Sequence, residues 1–384
     1  MKILKVLFIT NHYIDKNIGS SKGSRGFIKV FSELYNDITF IYPDYLGSNI
    51  IQYIPNNVQG IPYIDKRSKI HKGLDVYRGR LHRYSSFVRE HLKNNRYDII
   101  VIDHSRIWSS LTESFIKTGA KLITIHHNVE KDYVRDNPES FYLRLPYSYY
   151  ATKAERDAVS YSDVNLTHTR KDKDDLMRMY PNAKGNFYHL GAFDYNKVEY
   201  APSKVASDNI FIITGVLSYR QSTVPIVEFL KEYWPMVLEE RPMARLIIAG
   251  RNPSASIVRE CSKQTTVELI ANPSDMSNYL DKAKYYICPI NLGSGQKTRL
   301  SDGLRKGMPI LCHDVSLYGY ETIFEAGYMF SYHDKVTFKK SLNKMLSLSL
   351  DGREVFKAYS DFFSLEASVK RLRGFLEIEQ MLNK

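Results

Sequence analysis

Short, continuous apolar runs alternate with stretches of helical periodicity along the chain. In the first half, VLFIT (6–10), ITFIY (38–42), DIIVID (98–103) and KLITIHH (121–127) read as strands, separated by helical segments such as 27–34 and 106–118. Strands that are apolar throughout are covered on both faces, so this alternation predicts a parallel, doubly wound α/β sheet. After Tyr180 and Pro181 the chain is rich in turn residues and poor in helix signals, which places a domain boundary near residues 190–207. The alternation then restarts. IFIIT (210–214), a helix running through Trp234, RLIIAG (245–250), TVELIA (266–271), YYICPI (285–290) and MPILCH (308–313) predict a second Rossmann-like unit. From Leu365 the pattern is helical again. The expected organisation is a domain over 1–195, a second over 207–364, and a helix over 365–384 that packs back on the first domain. Ligands of such sheets bind beyond the C-terminal ends of the strands.

Composition adds limits. The 384 residues suffice for two cores, and no run approaches the roughly 20 apolar residues that span a bilayer. The opening MKILKVLFIT flows directly into Asn11 and His12 and reads as a first strand rather than a signal peptide. Cys261, Cys288 and Cys312 show no metal-ligand spacing and leave one unpaired in any disulfide scheme, as expected in the cytoplasm. The net charge of +12 calls for an anionic partner. Between residues 66 and 96 ten Lys or Arg stand against Asp75 and Glu90, interleaved with Tyr77, Tyr84 and Phe87. This segment is expected either to rest on anionic headgroups at the inner face of the plasma membrane or to form an ordinary solvated surface. No nucleic-acid-binding motif accompanies the charge, so nucleic acid is not an expected partner. KDKDD (171–175) falls at a helix start, where acids suit the dipole, and is not expected to bind metal.

The chemistry concentrates in INLGSGQKTRLSDGLRKGMPI (290–310). The strand YYICPI runs into Gly293, Ser294 and Gly295, which allow a sharp turn, and a short basic helix follows. Unpaired amides at a helix start attract phosphate, and Lys297 and Arg299 add formal charge. Asp302, three residues after Arg299, is placed to accept from ribose hydroxyls, so the stretch reads as a cradle for a nucleoside diphosphate. The residues alone equally allow an ordinary Arg299–Asp302 helix pair behind a glycine loop.

The arrangement resembles the GT-B glycosyltransferases, specifically the large fourth family of retaining, nucleotide-sugar-dependent enzymes that build bacterial surface polysaccharides. Residues 213–253, with a strand, a glycine turn at Gly215, a long helix ending near Trp234-Pro235, and Gly-Arg-Asn-Pro after the second strand, are similar to the first unit of that family's donor domain. KGSRG (22–26) and HHNVE (126–130) are similar to its cleft-lining loop and histidine motifs. The resemblance implies a GT-B fold, two Rossmann-like domains facing a central cleft, and metal-independent transfer from a UDP- or GDP-sugar to a glycan or lipid-linked acceptor. It implies that Arg299, with the amides of Gly295 and Gln296 and with Arg220 and Lys297, holds the diphosphate. Asp302 would hold the ribose and Asn272 the base. His127 would reach the transferred sugar, and Gly23 and Ser24 would lie where phosphate and acceptor meet. One position departs from the family: the first of its paired glutamates, eight residues before Asp302, is here Ser294. A non-catalytic partner subunit and a nucleotide-sugar epimerase of related fold are the alternatives.

Overall fold

The computed structural model describes residues 3–15, 19–45, 50–136, 140–191, 193–194, 197–202, 205–293 and 295–382. The chain forms two compact units, residues 1–196 together with 365–384, and residues 197–364.

In the first unit, β1 (Lys5–Thr10), β2 (Asp37–Asp44), β3 (Val58–Ile64), β4 (Ile99–Asp103), β5 (Lys121–His126), β6 (Val164–Thr167) and β7 (Asn186–His189) lie in the order β3-β2-β1-β4-β5-β6-β7. All of these pairings are parallel. One face is covered by the helices Gly19–Leu34 and Leu365–Leu382, which bring Phe27, Phe31 and Leu372 against Phe8 and Phe40. On the other, Tyr84, Trp108 and Phe115 pack with Leu7 and Ile100. The final helix is also tied by polar contacts: Arg371 donates to the carbonyl of Leu190, and Tyr188 donates to Glu379.

The second unit repeats the plan with β8 (Ser207–Val216), β9 (Arg245–Arg251), β10 (Val267–Ala271), β11 (Ala283–Cys288), β12 (Ile310–His313) and β13 (Met329–Tyr332), in the order β10-β9-β8-β11-β12-β13, again parallel. Phe211, Phe229, Trp234 and Phe338 fill one side of this sheet, and Tyr286, Leu304, Tyr359 and Phe363 the other. Two Rossmann-like parallel sheets are therefore present, as the apolar runs predict.

Several elements differ from the sequence expectation. β3 carries Gly60 and Pro62, both unfavourable in a central strand, and it sits at the sheet edge where proline is tolerated. β6, β7 and β13 are four residues each, too short to show a period. The first helix starts at Gly19, eight residues before the predicted start, and includes Gly23 and Gly26. Glycine normally disfavours a helix interior. Here it allows close approach, because a Cβ on Gly26 would stand 3.0 Å from the Phe193 ring and one on Gly23 would stand 3.2 Å from His168. The segment 106–118 is a 3₁₀ turn (Ser105–Trp108) and a short helix (Thr112–Ile116), interrupted where Ser110 takes φ +63°.

Residues 66–96 do not form one basic surface. They divide into the helices Lys69–Tyr77 and Ser85–Asn94; the second buries Val88 and Leu92, and Tyr84 just before it is fully buried. Arg83 lies 4.6 Å over the Tyr13 ring, and Arg89 donates to the carbonyl of Ser110. The acids at 171–175 act at a helix start: Thr169 and Asp172 cap each other, and Asp175 pairs with Lys171 and Arg178.

The close approach of β8 and β9 gives a direct test of packing. A Cβ on Gly250 would stand 2.0 Å from the Gly215 carbonyl oxygen and 2.9 Å from Leu217. Backbone cannot give way there as a flexible side chain can. Gly250→Ala is expected to cost about 3 kcal/mol, read from the urea unfolding midpoint.

Candidate active site

Strand order reverses between β8 and β11 in the second unit and between β1 and β4 in the first. Such switch points leave a crevice beyond the strand C-termini. Both candidate clusters lie there.

In the second unit, β8 ends at Thr214 and Gly215, the latter at φ +137°, a region that favours glycine. Arg299 occupies the space that a side chain would need: a Cβ on Gly215 would stand 2.8 Å from its Cζ. Arg299 Nη1 donates to the Thr214 carbonyl (3.2 Å) and Nη2 to Ser222 Oγ (2.8 Å). Its own carbonyl accepts from Tyr286 Oη (2.9 Å), whose hydroxyl also lies 2.7 Å from Thr214 Oγ1. This anchors the start of the helix Leu300–Arg305 to the end of β8. Among the described residues no carboxylate pairs with Arg299. Asp302 pairs instead with Arg305 at 3.3 Å, so the alternative of an ordinary Arg299–Asp302 helix pair is not formed among the described residues.

The glycine loop has its own scaffold. Lys297 Nζ donates to the carbonyls of Gly293 (2.8 Å) and Gly295 (3.1 Å), turning its charge onto the loop backbone. The Gln296 side chain packs against Gly319, and Tyr320 Oη donates to the Lys297 carbonyl. Ser294 lies outside the described residues. Arg220 is exposed at the first position of the helix Arg220–Glu232, which begins beyond the Gly215 turn. Asn272 stands two strands away from Gly215, after β10, and its Oδ1 accepts from the Asn252 amide, so it also joins two strand-end turns.

In the first unit a histidine follows the C-terminal end of each of four strands: His12 after β1, His104 after β4, His127 after β5 and His168 after β6. Their rings form one cluster, with His127 centred 4.7 Å from His12, 5.3 Å from His104 and 4.4 Å from His168. At its centre Asp103 is fully buried. Its Oδ1 meets His127 Nε2 at 2.5 Å and its Oδ2 accepts from Thr10 Oγ1 at 2.7 Å. Ser24 lies 3.0 Å from His12 Nδ1, and Gly23 faces His168 and His127. His127, Gly23 and Ser24 are thus brought together. His126 points the other way, to Asn165 Oδ1 at 3.0 Å.

Burial, reinforced by the charges of His127 and nearby arginines, pushes His12 down to about 3. Burial also holds His104 and His168 well below the ordinary imidazole range. For Asp103 burial acts upward, but attraction to His127 and its hydrogen bond overcome this and hold the carboxyl below the usual carboxylate range. The cluster sets a charged carboxylate beside the neutral imidazoles of His12, His104 and His168, a set suited to orienting hydroxyl groups or moving a proton. His12, Asp103 and His127 also offer atoms within 4.8 Å of one another, close enough in principle for a metal ion. The direct Asp103–His127 contact fits a hydrogen-bonded pair better. The sequence reading missed Asp103, His12, His104 and His168. The available signal was the repeated placement of His within two residues of a strand end.

Behind this edge, Arg106 pairs with Glu130 at 2.7 Å, and Glu155 accepts from the Glu130 amide (2.6 Å) and from Tyr180 Oη (2.9 Å). Burial, then the charge of Glu130, pushes the Glu155 carboxyl up to about 8 from 4.5. Between those values the unfolded chain has released a proton that the folded chain keeps, so this group makes the protein less stable as pH rises from 4.5 to 8. Glu155→Gln removes that dependence. The melting temperature of the variant relative to wild type is expected to climb steadily from pH 5 to pH 8, and parallel curves would refute the assignment.

Over residues 208–347 the sequence matches the family described as Glycosyl transferases group 1. An uncharacterized 44.6 kDa protein in the cps region of Klebsiella pneumoniae is 25% identical over 250 residues, a match that covers 62% of each chain. The match therefore spans less than two thirds of that relative. Sucrose-phosphate synthase from Thermosynechococcus elongatus superimposes with a TM-score of 0.69 at 10% identity, over 99% of this chain and 100% of that one. TarM does so with 0.68 at 11%, over 97% and 98%. The pneumococcal O-GlcNAc transferase GtfA, in complex with UDP and GlcNAc, gives 0.65 at 13%, over 99% and 100%. The fold is GT-B.

Proposed function

We propose that the protein is a glycosyltransferase that moves a sugar from a nucleoside-diphosphate sugar to a glycan or lipid-linked acceptor in bacterial surface polysaccharide synthesis. The observation that carries this reading is Arg299. It is a partly buried guanidinium at the β8/β11 switch point, held by two neutral oxygens and matched by no carboxylate among the described residues. Such a group calls for an anion. Breaking the bond at the sugar C1 places further negative charge on the departing diphosphate. Arg299 and the amides of Gly295 and Gln296 then bind it more tightly than they bind the intact donor, and that difference accelerates the reaction. Asp302 serves the ribose, Arg220 adds charge at a helix start, and Asn272 and Gly215 complete the nucleotide side. Lys297 shapes the loop. Asp103 and His127 serve the transferred sugar, with Gly23 and Ser24 beside them.

The group 1 match and the UDP and GlcNAc held by the pneumococcal neighbour support a UDP-sugar, with a GDP-sugar as the other candidate. The cps-region relative supports a polysaccharide context, and we place the reaction at the cytoplasmic face of the membrane. The family resemblance supports a retained configuration, and the cation fixed at Arg299 supports independence from metal. Titration calorimetry with UDP and GDP in the presence of EDTA tests the reading, followed by mass analysis of transfer to lipid-linked acceptors. One nucleotide is expected to bind with EDTA present. Loss of all nucleotide binding would favour a non-catalytic partner subunit, and an isomerised nucleotide sugar formed from donor alone would favour an epimerase.

A further inference from the structure

Two helices of the first unit turn apolar stripes outward. In Lys69–Tyr77, Ile70, Leu74 and Tyr77 recur at i, i+4 and i+7 and are 75%, 47% and 54% exposed, while Asp75 and Val76 face inward. An amphipathic helix that packs on a core does the reverse. The turn and helix around Arg144–Tyr161 repeat the pattern: Phe141, Leu145 and Tyr149, four apart, are 86%, 80% and 63% exposed. The two stripes belong to one surface, because Tyr77 Oη donates to the Tyr142 carbonyl at 2.6 Å and a Cβ on Gly79 would touch the Tyr150 ring at 2.8 Å.

Cations surround it. Asp65 and Asp75 are occupied by Arg67, Lys72 and Arg80, whereas Lys66, Lys69, Arg78 and Arg144 are exposed and make no ion pair among the described residues. Large apolar side chains ringed by unpaired Lys and Arg complement a layer with anionic headgroups over an acyl interior. Among the described residues no helix is long and apolar enough to cross a membrane, so this would be surface docking. The docking surface also adjoins the histidine edge. Lys69–Tyr77 follows the C-terminal end of β3, and Arg106, which pairs with Glu130, lies 4.5 Å from the Tyr133 ring and 5.4 Å from that of Tyr147.

We infer that Ile70, Leu74, Tyr77, Phe141, Leu145 and Tyr149, with their ring of cations, dock the first unit on an anionic bilayer. The acceptor edge is thereby held close to the headgroups. The membrane contact thus moves from the basic segment as a whole to two adjoining stripes, and its functional meaning rests on the lipid-linked acceptor of the proposed function.

Flotation with phosphatidylcholine vesicles, with and without phosphatidylglycerol, tests it on the full chain. Wild type is expected to float with anionic vesicles and to bind neutral ones far less. Phe141→Ser with Leu145→Ser, and Ile70→Ser with Leu74→Ser, are each expected to reduce the bound fraction about tenfold. Met243→Ser, an exposed apolar position of the second unit, is expected to change nothing. All four substituted positions of the serine pairs are exposed, and circular dichroism checks that the pairs stay folded. Wild type that stays unbound, or serine pairs that bind as wild type does, would overturn the inference. So would a wild-type dimer that the serine pairs convert to monomer, which would give the face to a second copy of the chain. UDP affinity measured on the same variants separates the two proposals: vesicle binding without nucleotide binding sinks only the proposed function, and the converse sinks only the docking surface.

Discussion

Arg299→Met is expected to reduce turnover by about a hundredfold or more and to weaken nucleoside-diphosphate binding, while the protein stays folded. Methionine has nearly the length of the arginine stem and can still cover Gly215, whose φ of +137° leaves no room for a side chain of its own. What disappears is a forked cation whose two nitrogens are fixed by the Thr214 carbonyl and Ser222 Oγ. Neither oxygen carries a charge, so removing the guanidinium leaves no buried anion behind and little stability is lost. A hydrogen bond to a charged group contributes about 1.5–3 kcal/mol, and the contribution grows as the leaving diphosphate gains charge. Turnover should therefore fall further than affinity does. Arg299→Lys is expected to recover only part of the loss, since a single ammonium cannot reproduce the fork. Equal kcat and equal affinity in the methionine variant would place the diphosphate elsewhere.

The sequence made the second unit's site easier to read than the first's. Arg299, Asp302 and the glycine loop are contiguous, and one strand–loop–helix pattern brings them together within about twenty residues. The partners of Arg299 are not contiguous: Thr214, Ser222 and Tyr286 arrive from β8, the following helix and β11, and only the parallel register places them side by side. The histidine edge was harder still. His127 was legible as half of an HH pair at a strand end, but Asp103 reads as the last residue of an apolar strand, and His12, His104 and His168 are single residues spread over more than 150 positions. Their meeting depends on the strand order β1-β4-β5-β6, which periodicity does not encode. The helix at Gly19–Leu34 was misread for a related reason, because its glycines answer to Phe193 and His168 rather than to local propensity.

Asp103→Asn tests that edge by itself. Asparagine keeps the size of the side chain and one carbonyl oxygen, but it loses the charge that His127 Nε2 meets at 2.5 Å and the second oxygen that accepts from Thr10 Oγ1. If the pair orients and polarises a sugar hydroxyl, kcat is expected to drop about a hundredfold with nucleoside-diphosphate affinity unchanged, whereas Arg299→Met weakens that affinity as well. His127→Gln should give a similar loss, and the double variant should be little worse than either single one, because two residues that act as a unit are removed only once. Stability supplies an independent reading. The Asp103 carboxyl is held below its ordinary 3.8, so its contribution is present above that pH and is lost as pH falls through the lower folded-state value. At neutral pH the asparagine variant is therefore expected to be less stable, by on the order of 1–3 kcal/mol. The gap should close in acid, once wild type has also taken up the proton. Losses in kcat that multiply in the double variant, or a stability gap that is constant with pH, would show that Asp103 and His127 act separately and that the pair is only a packing contact.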